Sequence, residues 1–216
     1  VADVDGHIGY QAPGRIPVRS GSDGRWPAAG WTGVGDWTGW LPYEKLPSVL
    51  DPAEGFIVTA NNAVIGAPYP HFLTEDWSYG YRSQRIRTRI ESAKPLDAQA
   101  MADIQMDTWN GNAATLVPYL LEVEGLDGYY GDGQRLLRDW DLMQPPDSAA
   151  AAYFNAVWRS LLRLTFWDEV PRDARPDGED RWFEVVRGLL ERPDDPFWDD
   201  VRTKATETRD DVLHKA

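Results

Sequence analysis

Cysteine is absent from this sequence of 216 residues, and basic residues are scarce. Without cysteine the chain can form neither disulfides nor zinc–thiolate sites, and thiolate catalysis is excluded as well. Lys and Arg number 22 against 35 Asp and Glu, so the formal net charge is −13 and nucleic acids are not expected as partners. No stretch approaches the ~20 consecutive apolar residues of a membrane-spanning helix, so no membrane partner is expected either.

Several familiar catalytic motifs are missing too. The sequence contains neither a Gly-x-Ser-x-Gly nucleophile elbow nor a phosphate-binding loop. The three histidines, His7, His71 and His214, show no metal-ligand spacing, and each is interpreted as a surface or hydrogen-bonded core side chain. The residues alone therefore indicate an acidic α+β chain without self-sufficient catalytic machinery.

Tryptophan, by contrast, is plentiful, with 11 residues in the chain. Residues 21–52 are rich in Gly and Pro and are predicted to form a long loop. Short extended segments are predicted beside it at 7–10 and 15–18, and the best strand at 56–60. The tryptophans of the loop fill a core or form a binding surface, and the core interpretation is favoured for most of Trp26, Trp31, Trp37 and Trp40.

From about residue 74 the apolar spacing becomes helical. The pattern predicts a strand and loop part, residues 1–73, followed by a helical part, residues 74–216. Pro118 fits only the first turn of a helix, which places one helix at 116–124. The other predicted helices are one capped by Asp97 and running to residue 108, one at 134–140, a long one at 148–169 capped by Asp147 and buried on two sides, and two at 182–190 and 197–212.

The strand predicted at 56–60 ends abruptly in two asparagines, Asn61 and Asn62. Amide N–H groups at a strand end can face a developing oxyanion, where one donor contributes about 3 kcal/mol. The alternative is an Asx-turn, in which both side chains merely close the strand.

Arginines cluster shortly afterwards in this otherwise acidic chain, at positions 82, 85, 87 and 89. Arg87 and Arg89 are interpreted as a solvated face paired with local carboxylates. Arg82 lies at the predicted helix start and close in sequence to Asn61, so we expect it to meet a substrate carboxylate or an internal Asp or Glu.

Four motifs in order carry a resemblance to a known family. They are Asp5-Gly6-His7-Ile8-Gly9-Tyr10, Pro17-Val18-Arg19, Gly39-Trp40-Leu41-Pro42-Tyr43-Glu44 and Gly55-Phe56-Ile57-Val58-Thr59-Ala60-Asn61-Asn62. Together they resemble the β-chain of the penicillin acylase family, the N-terminal-nucleophile amidohydrolases. The helices that follow fit the family's helical excursion, so the resemblance spans essentially the whole chain.

The resemblance implies a precursor that is exported to the periplasm or cell exterior and cuts itself into an α- and a β-chain. An N-terminal serine, activated by its own α-amino group, would then hydrolyse the amide of a small N-acyl substrate. By the same resemblance, Asn61 is the oxyanion-hole amide and Arg82 helps position the site. The complete enzyme would be a four-layer αββα sandwich.

The sequence departs from the family pattern in what it contains. It starts at Val1, after the family's nucleophilic serine, and ends at His214-Lys215-Ala216 within a predicted amphipathic helix. We therefore expect a β-chain fragment that is inactive alone and completed by the α-chain and the remaining β-chain. Such a fragment would leave the edges of residues 56–60 open.

No cofactor is required by the resemblance, although many members bind a structural Ca²⁺ through oxygen ligands of both chains. Gly24 occupies the place of one backbone-carbonyl ligand, whereas no matching aspartate follows Tyr69-Pro70. Calcium is therefore expected, if anywhere, in the complete enzyme.

Three alternatives remain open from the sequence. The substrate could be an acyl-homoserine lactone or a lipopeptide, because the same family cleaves these and the acyl pocket lies mostly outside the chain. The chain could instead be a binding module whose exposed, coplanar tryptophans stack on sugars or peptides. It could also be a helical scaffold without catalytic chemistry.

Overall fold

The computed structural model describes residues 1–93, 95–176 and 178–216, which form two compact units, Val1–Arg87 and Thr88–Ala216. The first unit holds all the β-strands found in the described residues, and the second is helical. The chain is thus α+β, as predicted. The domain boundary after residue 73 stays a prediction.

Two small antiparallel ribbons form the strand unit. Strand β1 (Gly9–Gln11) pairs with β4 (Ser48–Leu50), and β2 (Pro17–Arg19) pairs with β3 (Trp37–Trp40). The predicted extended segments at 7–10 and 15–18 overlap β1 and β2. The prediction of a continuous loop at 21–52 was wrong, because β3 and β4 lie within it. Each of these strands is too short to show the alternation of apolar and polar residues that predicts a strand. Each forms because it pairs with a strand that is distant in the sequence.

Residues 56–59, predicted to form the best strand, belong to no strand in the structure. They make no backbone–backbone hydrogen bond with the described residues, so the edges are open as expected, but the strand itself is not formed. A β-strand requires a neighbouring strand to which its backbone is hydrogen-bonded. The high β propensity of residues 56–59 cannot replace such a neighbour. The side chains are half-buried or exposed, and the Arg87 guanidinium lies 5.0 Å from the Phe56 ring centre.

A long helix, α5 (Ala149–Phe166), organises the helical unit, and its buried side chains include Phe154, Leu161 and Phe166. They form one broad face, whereas Arg159 and others on the opposite side are exposed, so the predicted burial on two sides was wrong. Its cap is Ser148, whose hydroxyl accepts from the Ala151 N–H, and the predicted cap Asp147 was wrong by one residue. The helices of the chain are α1 (Tyr81–Ser92), α2 (Ala98–Gln105), α3 (Gly111–Leu121), α4 (Gly128–Arg138), α5 (Ala149–Phe166), α6 (Asp180–Leu190) and α7 (Arg209–Lys215).

Helix α3 corrects the start predicted from Pro118. The helix begins at Gly111, capped by the Asn110 side chain, and Pro118 lies in its interior. An interior proline costs a helix about 3 kcal/mol. Burial of Leu116 and Leu120 on the core face offsets that cost. Helix α4 likewise begins earlier than the predicted helix at 134–140.

The helix predicted at 197–212 is replaced by a short 3-10 turn (Pro196–Trp198), a loop and α7. Carboxylates hold the loop in place of helical hydrogen bonds. Asp199 accepts from the Glu207 N–H, and Glu207 accepts from the Asp200 N–H. The predicted Asp97 cap is confirmed at α2, where its side chain accepts from the Ala100 N–H.

Candidate active site

Asn61 lies just after the unpaired extended segment in the strand unit. Its φ of 62° is in the left-handed region, which few residues other than Gly, Asn and Asp adopt without strain. The Ser78 N–H donates to the Asn61 carbonyl over 2.8 Å, and the side chain itself is exposed. An exposed asparagine in an uncommon backbone conformation is the kind of position that functional sites retain.

Arg82, in the first turn of α1, binds the side chain of Asn61. Its Nη2 donates to Asn61 Oδ1 over 2.8 Å and to the Ala60 carbonyl over 2.9 Å. A guanidinium only donates, so the Asn61 atom that faces it must be the amide oxygen. The Asn61 amide NH₂ then points elsewhere, and it has no hydrogen-bond partner among the residues that the structure describes.

Sequence reasoning placed Asn61 and Arg82 near each other, and the structure brings them into contact. The partner expected for Arg82 was a substrate carboxylate or an internal Asp or Glu. Within the chain the structure gives an amide and a carbonyl instead of an Asp or Glu, and a contact with a substrate carboxylate stays a prediction. The Asx-turn alternative does not describe Asn61, because its side chain binds Arg82. It is Asn62 that binds local backbone, accepting from the Ala60 N–H and donating to the Ala63 carbonyl, both over 3.0 Å.

The histidines are separate from the Asn61–Arg82 pair. His7 Nδ1 lies 2.7 Å from Asp51 Oδ2, and both side chains are about half exposed. The His71 ring packs edge-on against Tyr69. No cluster of three or more His, Cys, Asp or Glu side chains suited to a metal occurs in the described ranges. Sequence analysis missed the His7–Asp51 pair, because its two members are far apart along the chain.

Gly24 has cationic surroundings. A Cβ added to it would lie 2.8 Å from Arg19 Nε, and its φ of 81° favours glycine. The neighbouring Asp23 carboxylate already accepts a hydrogen bond from the Arg25 guanidinium, and this bond lowers the pKa of Asp23. These groups do not fit a calcium ion, so we assign Gly24 no part in metal binding.

The arginines that follow Arg82 make varied contacts. Arg89 pairs with Asp107 at 3.7 Å, in agreement with the predicted pairing to a local carboxylate. Arg87 instead packs over an aromatic ring. These contacts give neither residue a place beside Asn61.

The tryptophans of residues 21–52 are exposed, so the favoured interpretation as core side chains was wrong for this chain. Trp26 is 79% exposed and Trp31 89%, and Trp37 and Trp40 are exposed as well. The rings of Trp37 and Trp40 meet edge to face at 68°, which is not a coplanar stacking platform. The Arg15 guanidinium lies 5.8 Å from the Trp40 ring centre.

A search of the helices over the described residues found none long and apolar enough to cross a membrane.

Comparison with known sequences matches residues 1–216 to the family described as penicillin amidase. Penicillin acylase 2 proenzyme of Pseudomonas sp. (strain SE83) is 32% identical over 94% of this chain. Penicillin G acylase of Escherichia coli is 49% identical over 85% of it. Acyl-homoserine lactone acylase QuiP of Pseudomonas aeruginosa is 28% identical over 97%. The chain spans 28% of the length of the first of these relatives, 23% of the second and 27% of the third.

A solved structure agrees in fold. Thermostable penicillin G acylase from Alcaligenes faecalis superposes with a TM-score of 0.70 at 20% identity. The match covers 99% of this chain and 44% of that one.

Proposed function

Because the chain belongs to the penicillin amidase family, we propose that it is part of an amidohydrolase that cleaves the acyl side-chain amide of a β-lactam or a related N-acyl compound. The proposed nucleophile is a serine at the N-terminus of the mature β-chain, outside this sequence, with its own α-amino group as the base acting through a water. The serine oxygen attacks the amide carbon, the amine leaves with a proton, and water hydrolyses the ester to release the acid.

Asn61 is the proposed oxyanion-hole donor, and one observation carries this assignment: Arg82 occupies its amide oxygen. An amide whose oxygen is already bound presents its N–H groups in a fixed direction. Such preorganised donors stabilise the negative charge that develops on the substrate carbonyl oxygen. Arg82 is therefore the proposed positioning residue, and a second bond to the Ala60 carbonyl fixes its own direction.

Because the proposed nucleophile belongs to another part of the enzyme, we propose that the chain is inactive alone and works with the α-chain and the remaining β-chain of one precursor. The complete enzyme would be the four-layer αββα sandwich of N-terminal-nucleophile hydrolases, located outside the cell or in the periplasm. The open edge of residues 56–59 supports this, because a neighbouring strand from the remaining polypeptide would complete its hydrogen bonds. Any calcium would be held elsewhere in the complete enzyme.

An acyl-homoserine lactone or lipopeptide acylase is the second candidate function. Relatives named acyl-homoserine lactone acylase are 26–29% identical to the chain in several Pseudomonas species. Both candidates use the same Asn61 and differ in the acyl group accepted. The non-catalytic binding module is less well supported, because Trp37 and Trp40 are not coplanar.

The test is amide hydrolysis by the complete polypeptide that carries this chain, with chromogenic phenylacetyl, glutaryl and long-chain acyl amides. Asn61→Ala should mature normally and lose about 100-fold or more in kcat, because an oxyanion donor is removed. Asn155→Ala is the control, since it removes a hydrogen-bonded asparagine amide from α5, in the helical unit. The preferred acyl group identifies the substrate class, and full activity of Asn61→Ala contradicts the assignment.

A further inference from the structure

Asn62 uses both ends of its side chain on the backbone around Asn61. Its Oδ1 accepts from the Ala60 N–H and its Nδ2 donates to the Ala63 carbonyl, each over 3.0 Å. The two contacts lie on either side of Asn61, one before it and one after it. Asn62 is half-buried; its bond to the Ala60 N–H is partly shielded from competing water, whereas its bond to the Ala63 carbonyl is exposed.

The backbone between these two contacts is the part that needs support. Asn is one of the few non-glycine residues that visit a φ of 62°, and it stays there only where its surroundings favour that region over the more common β region. Three contacts impose it here. Ser78 holds the Asn61 carbonyl, Arg82 holds its side-chain oxygen, and Asn62 holds the flanking peptide groups.

Backbone conformation and side-chain direction are coupled at this position. If Asn61 relaxed to the β region, its Cβ would turn, and Oδ1 could no longer meet an Arg82 that is bound to the Ala60 carbonyl. The amide NH₂ would then lose its fixed direction. Asn62 thus controls where the donors of Asn61 point without facing the substrate itself.

We propose that Asn62 is a positioning residue for the oxyanion donor, holding Asn61 in its left-handed conformation through the Ala60 and Ala63 backbone. This inference rests on the proposed function of Asn61. It goes beyond that function because it assigns the second asparagine of the pair a role that acts entirely through the first.

A double-mutant cycle in the complete polypeptide tests it. The variants are Asn62→Ala, Asn61→Ala and the double variant. Asn155→Ala is the control, because it removes an asparagine side chain that also makes two hydrogen bonds but lies in α5. The measurements are the fraction of processed enzyme, kcat and KM for the best amide substrate. Asn62→Ala should lower kcat about tenfold, the equivalent of one or two hydrogen bonds, and leave KM unchanged.

The cycle separates positioning from general stabilisation. If Asn62 acts through Asn61, the double variant is as slow as Asn61→Ala alone, because nothing is left to position. Independent, additive losses would overturn the proposal, and so would full activity of Asn62→Ala beside a slow Asn61→Ala. Full activity of Asn61→Ala would instead refute the proposed site itself.

A second variant covers the case in which Asn62→Ala does not mature. Asn62→Asp keeps an acceptor for the Ala60 N–H, loses the donor to the Ala63 carbonyl and adds a negative charge. The part of its loss that acts through Asn61 should again disappear in the double variant with Asn61→Ala. If both Asn62 variants fail to mature while Asn61→Ala matures, Asn62 serves folding alone and the proposal is wrong.

Discussion

The two compact units bury apolar side chains to very different extents. Within the strand unit, Leu46 and Ala60 are the buried apolar residues among those described. All the remaining buried apolar residues among those described belong to the helical unit, among them Trp198, Phe154 and Phe166. Large aromatic side chains are found in both units, but none of those described in the strand unit is fully buried. Composition alone therefore does not decide which part of the chain builds a core.

The proposed site lies in the unit with little core, and polar contacts replace packing there. Asn61 is fixed by hydrogen bonds from Ser78 and Arg82, and Asn62 by two more to the backbone. Hydrogen bonds contribute about 1 kcal/mol each, so such a unit can be well defined locally and still be marginally stable. We infer that the strand unit needs the remaining enzyme polypeptide to become stable.

The largest expected effect comes from cutting the chain after α1 into two fragments, residues 1–94 and 95–216, so that α1 stays whole and joined to the strand unit. The second should fold cooperatively, since it retains α3 to α7 with their shared core. The first should not fold alone, because it buries too little apolar surface to offset its conformational entropy. Circular dichroism and thermal melting of each fragment check this. A cooperative melt of residues 1–94 would remove the contrast between the units.

Matched tryptophan deletions sharpen the comparison. Trp198 is fully buried and donates to the Arg192 carbonyl, so Trp198→Ala should reduce the free energy of unfolding by about 3–5 kcal/mol. Trp31 in the strand unit is exposed, and Trp31→Ala should change the free energy of unfolding by less than about 0.5 kcal/mol. Urea denaturation of this chain measures both. Comparable losses for the two variants would show that Trp31 is packed.

The smallest expected effect is a pH dependence of the helical unit. Glu207 is 7% exposed and pairs with Lys215 at 2.8 Å, which lowers the pKa of the Glu207 carboxyl. Because its folded pKa lies below the unfolded value of about 4.3, its stabilisation is complete above that value and is lost as the pH falls through the folded pKa. Glu207→Gln should flatten this acid part of the profile in thermal melts.

An exposed carboxylate provides the control for Glu207. Glu191 also pairs with a cation, but its side chain is 67% exposed, and ion pairs of this kind contribute little. Glu191→Gln should therefore leave the acid profile of the melts unchanged. An equal change in both variants would mean that the buried position of Glu207 is unimportant.

Local signals in the sequence predicted local structure well. The Asp97 cap could be predicted because it depends only on the three residues that follow it. The long helix was predicted as well, although its cap is Ser148, one residue after the predicted Asp147. The helix start predicted from Pro118 was wrong because the cost of an interior proline can be seen in the local sequence. The burial of the helix face that offsets this cost depends on tertiary packing. Strands β3 and β4 were missed because pairing partners distant in sequence define them.

The site was predicted in composition but not in geometry. Asn61 and Arg82 were selected from a strand end and a helix start close in sequence, and the structure places them in contact. Which atom of Asn61 faces Arg82 depends on a left-handed backbone angle. That angle follows from contacts with Ser78 and Asn62, which no spacing rule encodes. The catalytic roles of Asn61 and Arg82 stay predictions.

The contact between Arg82 and Asn61 also has a consequence for how the protein would age. Hydrolysis of the Asn61 amide, which takes up water and releases ammonia, gives a carboxylate of the same shape. Arg82 would bind it as a charge-assisted pair, more strongly than it binds the amide. That carboxylate has no N–H to donate. A stored preparation would then melt at the same temperature or higher while its active fraction declines, so thermal stability would be a poor measure of its remaining potency.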